Sequence, residues 1–391
     1  MPSDRLFGPS LATETMAAAV SDVTWVRTML EVEAAVAEAE AAAGVIPADA
    51  ASAIAAACAG EFDVAAIGRE AGANANPVIP LVKALRAAVP ADAAEHVHHG
   101  ITSQDVLDTA MMLISRRAIA LLLEDTRALA DACASLAEKH RATPTVARTL
   151  LQQAVPTTFG MKAAGWLEGV VRAAEHLRQT QARCLAVQLG GAAGTLASLG
   201  DRGLAVLGEL ARRLELPEPA LPWHAERSRV AELASALAIS AGVAGKIALD
   251  LLLLSQSEVG EVAEVSPGSS SAMRHKRNPV ASIEARTALQ LLQPQIEVLF
   301  RAMQSEHERA AGAWQAEWPA LSEAFRLSAG VISRTRAALD GLTVDEARMA
   351  ANLEAWKAEV EPHHDLRGYV GSTEQWIDRT LADYRKWRAA A

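Results

Sequence analysis

Gly268-Ser269-Ser270-Ser271-Ala272-Met273-Arg274-His275-Lys276-Arg277-Asn278-Pro279 is the stretch on which the reading of this 391-residue chain turns. It has no apolar period, whereas both of its flanks do. Before it, Val243, Ile247, Leu251 and Leu254 recur at helical spacing in a run that starts at Ser228 and reaches about Glu261. After it, a second helical run extends from Pro279 to about Ala311. A glycine- and serine-rich loop therefore joins two long helices. Cationic side chains next to a helix start make a natural anion site, because the first amides of the helix point the same way. On chemistry alone two readings stand: an anion site, or a solvated loop with a basic helix start. A phosphate loop fits poorly, since there is no Gly-x-x-x-x-Gly-Lys pattern and no preceding strand.

Working outward, the rest of the chain is also helical in character. Alanine dominates, and aromatic residues make up only 4%. Ser21-Asp22 opens one run, with Trp25, Met29, Val32, Val36 and Ala39 at helical spacing. Thr102-Ser103-Gln104-Asp105 precedes a helix from Val106 to about Leu136, and Pro156-Thr157-Thr158 opens another toward Arg183. Strand-like alternation is confined to short pieces near Thr143 to Leu150. The expected architecture is all-α in three parts: an N-terminal helical domain at 1–110, a central bundle of very long helices at 111–344, and a short C-terminal helical domain at 345–391. Helices of about thirty residues are roughly 45 Å long, more than one chain can cover on every side, so the bundle is expected to pack against copies of itself.

A net charge of -10 argues against nucleic acid as a partner. The apolar stretch Ile247 to Leu254 is interrupted by Asp250 and flanked by Lys246 and Glu258, which argues against a membrane span. Cys58, Cys133 and Cys184 are few and far apart, and the N-terminus has no basic segment followed by an apolar core, so a reducing cytoplasm is the expected location. No metal and no cofactor are expected. His96, His98, His99 and Asp105 lie close in sequence but do not have the spacing of a closed tetrahedral set, and His363-His364 is expected to be solvated.

Three blocks, in order, carry a resemblance. His98-His99-Gly100-Ile101-Thr102-Ser103-Gln104-Asp105, Arg148-Thr149-Leu150-Leu151-Gln152-Gln153-Ala154-Val155-Pro156-Thr157-Thr158 and Ser270-Ser271-Ala272-Met273-Arg274-His275-Lys276-Arg277-Asn278-Pro279 resemble the three signature blocks of the fumarase/aspartase superfamily. The pieces Asn76-Pro77-Val78-Ile79-Pro80, Leu189-Gly190-Gly191, Pro222-Trp223-His224, Glu306-His307-Glu308-Arg309 and Trp314-Gln315-Ala316-Glu317-Trp318 are similar to its carboxymuconate-cyclising branch. The chain departs from the superfamily pattern in several places, with Ser269 where a glycine is usual and Gln153 where some relatives carry a further histidine. Arg274 stands where the signature has proline, and Leu150 where many relatives have a histidine that moves a proton.

The resemblance implies a homotetramer whose active sites are shared between subunits, acting on a small polycarboxylate. The implied reaction is the addition of one carboxylate of 3-carboxy-cis,cis-muconate across a double bond, giving a carboxymuconolactone in protocatechuate breakdown; a lyase acting on adenylosuccinate or on a substituted muconate or succinate is the alternative, and a non-catalytic structural relative is the third reading. Ser270, His98 and Lys276 align with catalytic positions. Asn278, Thr102, Ser103, Gln152, Gln153, Thr157, Arg309, Arg274 and Ser271 align with positions that hold substrate, and Arg227 is either a further anion clamp or an exposed helix residue.

Overall fold

The computed structural model describes residue 6, residues 8–359 and residues 370–390, so His363-His364 lies outside the described residues. Helices α1 (Glu14–Ala19), α2 (Asp22–Ala42), α3 (Ala48–Cys58), α4 (Val64–Asn74), α5 (Val78–Ala88) and α6 (Ala91–Ala94) gather at the start of α7 (Ser103–Lys139). A hairpin of β1 (Pro144–Thr149) and β2 (Gln152–Thr158) follows, then α8 (Phe159–Cys184), α9 (Gly203–Leu214) and α10 (Ser228–Leu254). The chain continues through β3 (Val262–Ala263), α11 (Val280–Arg301), α12 (Ala313–Leu339), β4 (Thr343–Val344), α13 (Glu346–Glu359) and α14 (Thr373–Ala390). Apart from the β1–β2 hairpin and the two-residue β3–β4 pair, the described chain is helical, as its composition implies.

The long helices α7, α8, α10, α11 and α12 form a bundle around one apolar core. At its centre α10 packs against α8, α11 and α12. Small residues make this possible. A Cβ on Gly245 would lie 2.4 Å from Leu289 Cδ2, so α10 and α11 meet where no side chain fits between them. Taken whole, α10 is long and apolar enough to cross a bilayer by length and composition alone, a test that a core helix also passes. Half of its most apolar stretch is buried within the bundle.

Helix limits follow local chemistry. The side chain of Ser21 caps α2 by accepting from Thr24 N at 3.2 Å. Pro156, Thr157 and Thr158 do not open α8 but close β2, and the Thr158 hydroxyl then caps α8 by accepting from Met161 N at 3.1 Å. Helix α10 ends at Leu254 rather than Glu261, where Gly260 at φ +63° turns the chain. Helix α11 ends at Arg301 rather than Ala311. Helix α7 begins at Ser103, earlier than its apolar period suggested, and residue 110 falls within it.

A buried polar cluster ties α7, α10 and α12 together. Arg227, just before α10, donates to both Asp108 carboxylate oxygens at 2.7 and 3.0 Å. It also donates to Glu317 on α12, through Nε at 3.0 Å and through Nη2. Trp314 Nε1 donates to Asp108 at 3.0 Å, and the guanidinium lies over the Trp223 ring, 4.9 Å from its centroid. Burial disfavours the charge on Arg227, but Asp108 and Glu317 outweigh it and raise its pKa. The guanidinium is fully buried and its donors are spent, so Arg227 is neither a substrate clamp nor an exposed helix residue. Removing it leaves two carboxylates unpaired in the core. Arg227→Ala is expected to destabilise the fold by about 3–5 kcal/mol, read from urea unfolding curves.

Candidate active site

The first block sits on the turn leading into α7. His98 and Gly100 both take left-handed backbone, at φ +59° and +66°. At Gly100 a Cβ would lie 2.3 Å from Leu199 Cδ2, so both the turn and the space require glycine. Asp105 locks the turn. Its carboxylate accepts from Thr102 N at 3.0 Å, from Gly190 N and Gly191 N at 2.9 Å each, and from His224 Nε2 at 2.7 Å. A Cβ on Gly190 would lie 2.7 Å from His224 Cε1, which explains the glycine there. Three separated stretches of sequence thus converge on one buried carboxylate.

Above this lock lie His98, Thr102 and Ser103, all half-buried. His98 and Ser103 line a cavity of about 360 Å³ together with Ile79, Val82, Lys83 and Arg86 from α5. Arg309 reaches the same region: its Nε donates to Gln104 Oε1 at 3.0 Å, and Gln104 in turn donates to the His224 carbonyl at 2.8 Å.

Sequence reasoning missed two acids behind the histidines. His98 Nδ1 is 2.6 Å from Glu33 Oε1, and His99 Nδ1 is 3.2 Å from Glu40 Oε1. Both glutamates are on α2 and buried. The signal was present in the sequence: Glu33 and Glu40, seven residues apart, interrupt the apolar stripe of that helix at core positions.

The second block forms the hairpin. Thr149 pairs with Gln152, leaving Leu150 and Leu151 as a two-residue turn at φ +51° and +65°. This left-handed pair suits a tight hairpin but is normally made by Asn-Gly, because a bulky side chain strains it. Both leucines point into solvent, at 97% and 76% exposure, and Gln152 and Gln153 beside them are also exposed. Thr157, at the hairpin base, lines a different cavity of about 720 Å³ with Arg148, Lys162, Trp166 and Lys246. Burial holds Lys162 below the usual lysine range.

The third block is a loop closed at its base by paired backbone bonds, Gly268 N to Asn278 O at 2.8 Å and Asn278 N to Gly268 O at 3.0 Å. Ser270 Oγ accepts from Met273 N at 3.1 Å and the Asn278 amide donates to Ser269 O at 3.4 Å. Ser271, Arg274 and Lys276 are exposed. The amides at the start of α11 are not open to an anion, contrary to expectation. Glu264 occupies them, accepting from Ala281 N at 3.1 Å and from Ser282 N at 2.9 Å. The loop's cations are thus left as its anion-attracting groups. Among the described residues no three His, Cys, Asp or Glu side chains are grouped so as to hold a metal ion.

One chain does not unite these blocks. The first block precedes the N-terminus of the 37-residue α7 and the second follows its C-terminus, a separation of about 55 Å. The third block lies beyond the far end of the 27-residue α10, about 40 Å from Arg227 and the first block. The second and third blocks share an end of the bundle, where Arg148 donates to both Glu261 oxygens at 2.9 and 2.7 Å.

Comparison with known proteins places the fold. A family described as lyase matches residues 8–290. The chain is 48% identical to the 3-carboxy-cis,cis-muconate cycloisomerase of Bradyrhizobium diazoefficiens, over 90% of this chain and 79% of that one. It is 44% identical to a nitrosuccinate lyase of Streptomyces davaonensis, over 89% of this chain and 77% of that one. The crystal structure of the 3-carboxy-cis,cis-muconate lactonizing enzyme from Pseudomonas putida superposes with a TM-score of 0.88 at 35% identity, covering 98% of this chain and 99% of that one. The chain belongs to this lyase family, the fumarase/aspartase superfamily. Within it, the chain stands beside the carboxymuconate cycloisomerases.

Burial, reinforced by the charge of Glu33, pushes the Glu40 carboxyl up to about 8. Between its ordinary value of 4.5 and about 8, the folded chain keeps a proton that the unfolded chain releases. Stability contributed by Glu40 is therefore present at low pH and lost as pH rises through that window. Glu40→Gln is expected to shrink the loss of stability between pH 5 and pH 8, measured by urea unfolding at the two values.

Proposed function

We propose that the chain is a cycloisomerase converting 3-carboxy-cis,cis-muconate to a carboxymuconolactone, within protocatechuate breakdown. The observation that carries this reading is the hairpin tip. Leu150 and Leu151 occupy the turn where many superfamily members have a proton-transferring histidine, and neither can give or take a proton. A lyase that expels an amine needs such a group, because the leaving nitrogen must be protonated. A carboxylate nucleophile does not. With an ordinary pKa near 4 it is already ionised at neutral pH and attacks without losing a proton.

In this reaction a carboxylate oxygen bonds to one alkene carbon. The alkene electron pair moves toward the neighbouring carboxylate, which takes aci-carboxylate character, and the adjacent carbon receives one proton. Because one carboxylate becomes an ester, the ionised substrate takes up one proton from solvent. Ser270 is the residue that hands this proton to carbon, and Lys276 and Asn278 hold the growing charge on the carboxylate. His98, Thr102 and Ser103 hold substrate from the first block with Arg309 beside them, Gln152, Gln153 and Thr157 from the second, and Ser271 and Arg274 from the loop.

Each site is shared between copies in a homotetramer. The separations along α7 and α10 support this, as do the half-exposed apolar residues Ile239 on α10 and Ile283, Leu291 and Phe300 on α11. The cysteines are free, which suits a reducing cytoplasm.

The same hairpin tip favours a second reading, a lyase acting on a substituted succinate that expels a weakly basic anion. Purified protein is expected to consume 3-carboxymuconate, with loss of its ultraviolet absorbance and uptake of one proton per turnover. Turnover of a nitro-substituted succinate or adenylosuccinate in its place overturns the first reading. Ser270→Ala is expected to lose at least about a hundredfold in kcat with an unchanged circular dichroism spectrum. Mixing Ser270→Ala, nearly inactive alone, with His98→Gln, impaired at substrate concentrations well below its raised KM, is expected to restore activity at low substrate on reassembly. No recovery, with mixed tetramers demonstrated, overturns the shared site.

A further inference from the structure

The cavity of the first block has a charged partner behind it that the reaction scheme above leaves unused. Glu33 is on α2, its carboxylate almost wholly out of solvent, 2.6 Å from His98 Nδ1. His98 reaches this position only by adopting left-handed backbone at φ +59°, a conformation that a non-glycine residue holds when its surroundings fix it. With Nδ1 committed to Glu33, Nε2 is the ring atom left for the cavity that His98 lines with Ser103.

The charged groups around the ring are Glu33 from α2, Asp105 from α7 and Arg86 from α5, and Lys83 of α5 lines the same cavity. Burial and Arg86 oppose a positive ring, while the two carboxylates favour one. Asp105 is already committed to Thr102, Gly190, Gly191 and His224, so Glu33 is the acid in direct contact. Taken together, these influences raise the pKa of His98.

We propose that Glu33 is a positioning residue that keeps His98 protonated on both ring nitrogens, so that His98 serves as a fixed cation gripping a substrate carboxylate through Nε2–H rather than as a proton shuttle. This rests on the polycarboxylate reading of the site and gives its first-block histidine a specific task. A charge-assisted hydrogen bond to carboxylate is shorter and stronger than a neutral one, and Glu33 sets the ring angle needed to make it. The sign follows directly. A raised folded pKa extends the cation, and hence the grip, to higher pH than an ordinary histidine would, and the grip is lost as pH rises through that pKa.

Glu33→Gln keeps the shape and an acceptor oxygen but removes the charge. In the assembled enzyme it is expected to raise KM for 3-carboxymuconate about tenfold or more with kcat little changed, and to move the alkaline fall in kcat/KM to lower pH. In the His98→Gln background the same substitution is expected to add no further rise in KM. An equal rise in both backgrounds shows a merely structural effect and overturns the proposal, as does a fall in kcat at unchanged KM. A third measurement needs no substrate: the NMR titration of the His98 ring, expected to shift to lower pH in Glu33→Gln. An unmoved ring titration overturns the proposal even if the protein turns over carboxymuconate, and a shifted one stands even if it does not.

Discussion

The length of α7 is the constraint on which the rest of the structure depends. A continuous helix of 37 residues holds its ends about 55 Å apart, and the chain places a chemically loaded block at each end. The first block stands apart at one end, while the second shares the other end with the third block. The bundle around α7 therefore works as a frame that holds the blocks apart, with half-exposed apolar residues on α10 and α11. The buried acids on α7 hold this frame in register. Asp105 pins the first block to the glycine turn at Gly190 and Gly191, and Asp108, one helical turn on, pins α10 and α12 through Arg227 and Trp314.

Much of the fold was legible because helical periodicity is a local property. Trp25 to Ala39 and Val243 to Leu254 announce their helices, and Ser21 announces a cap. Errors fell at helix ends, where side-chain capping and tertiary contact decide. Pro156-Thr157-Thr158 has the composition of a helix start, yet only Thr158 acts as one, because pairing with Pro144 to Val146 draws all three into a strand. The motif blocks were visible, but their companions were not. Glu33 lies 65 residues from His98 and Glu317 lies 90 from Arg227, and no periodicity links such pairs. The branch-specific Trp314-Gln315-Ala316-Glu317-Trp318 stretch has a structural explanation. Its Trp314 and Glu317 satisfy the buried Asp108 and Arg227.

The hairpin tip shows how loss of a group can itself be informative. Two leucines in consecutive left-handed conformations are a costly way to make a turn that Asn-Gly would make more easily. Their presence at a position where relatives use a histidine is in keeping with a reaction whose nucleophile arrives already ionised. The strain sits at an exposed tip, where it disturbs little of the core.

The central place of α10 also bears on how the chain is made. This helix is apolar enough to pass for a membrane span, and two of its three covering helices, α11 and α12, lie after it in sequence. The second of them is complete only at Leu339, 85 residues beyond Leu254. At ordinary synthesis rates of about 5–20 residues per second, about 4–17 seconds pass between the end of α10 and the completion of its last covering helix. Until then α8, already made, is the helix able to shield one side of it.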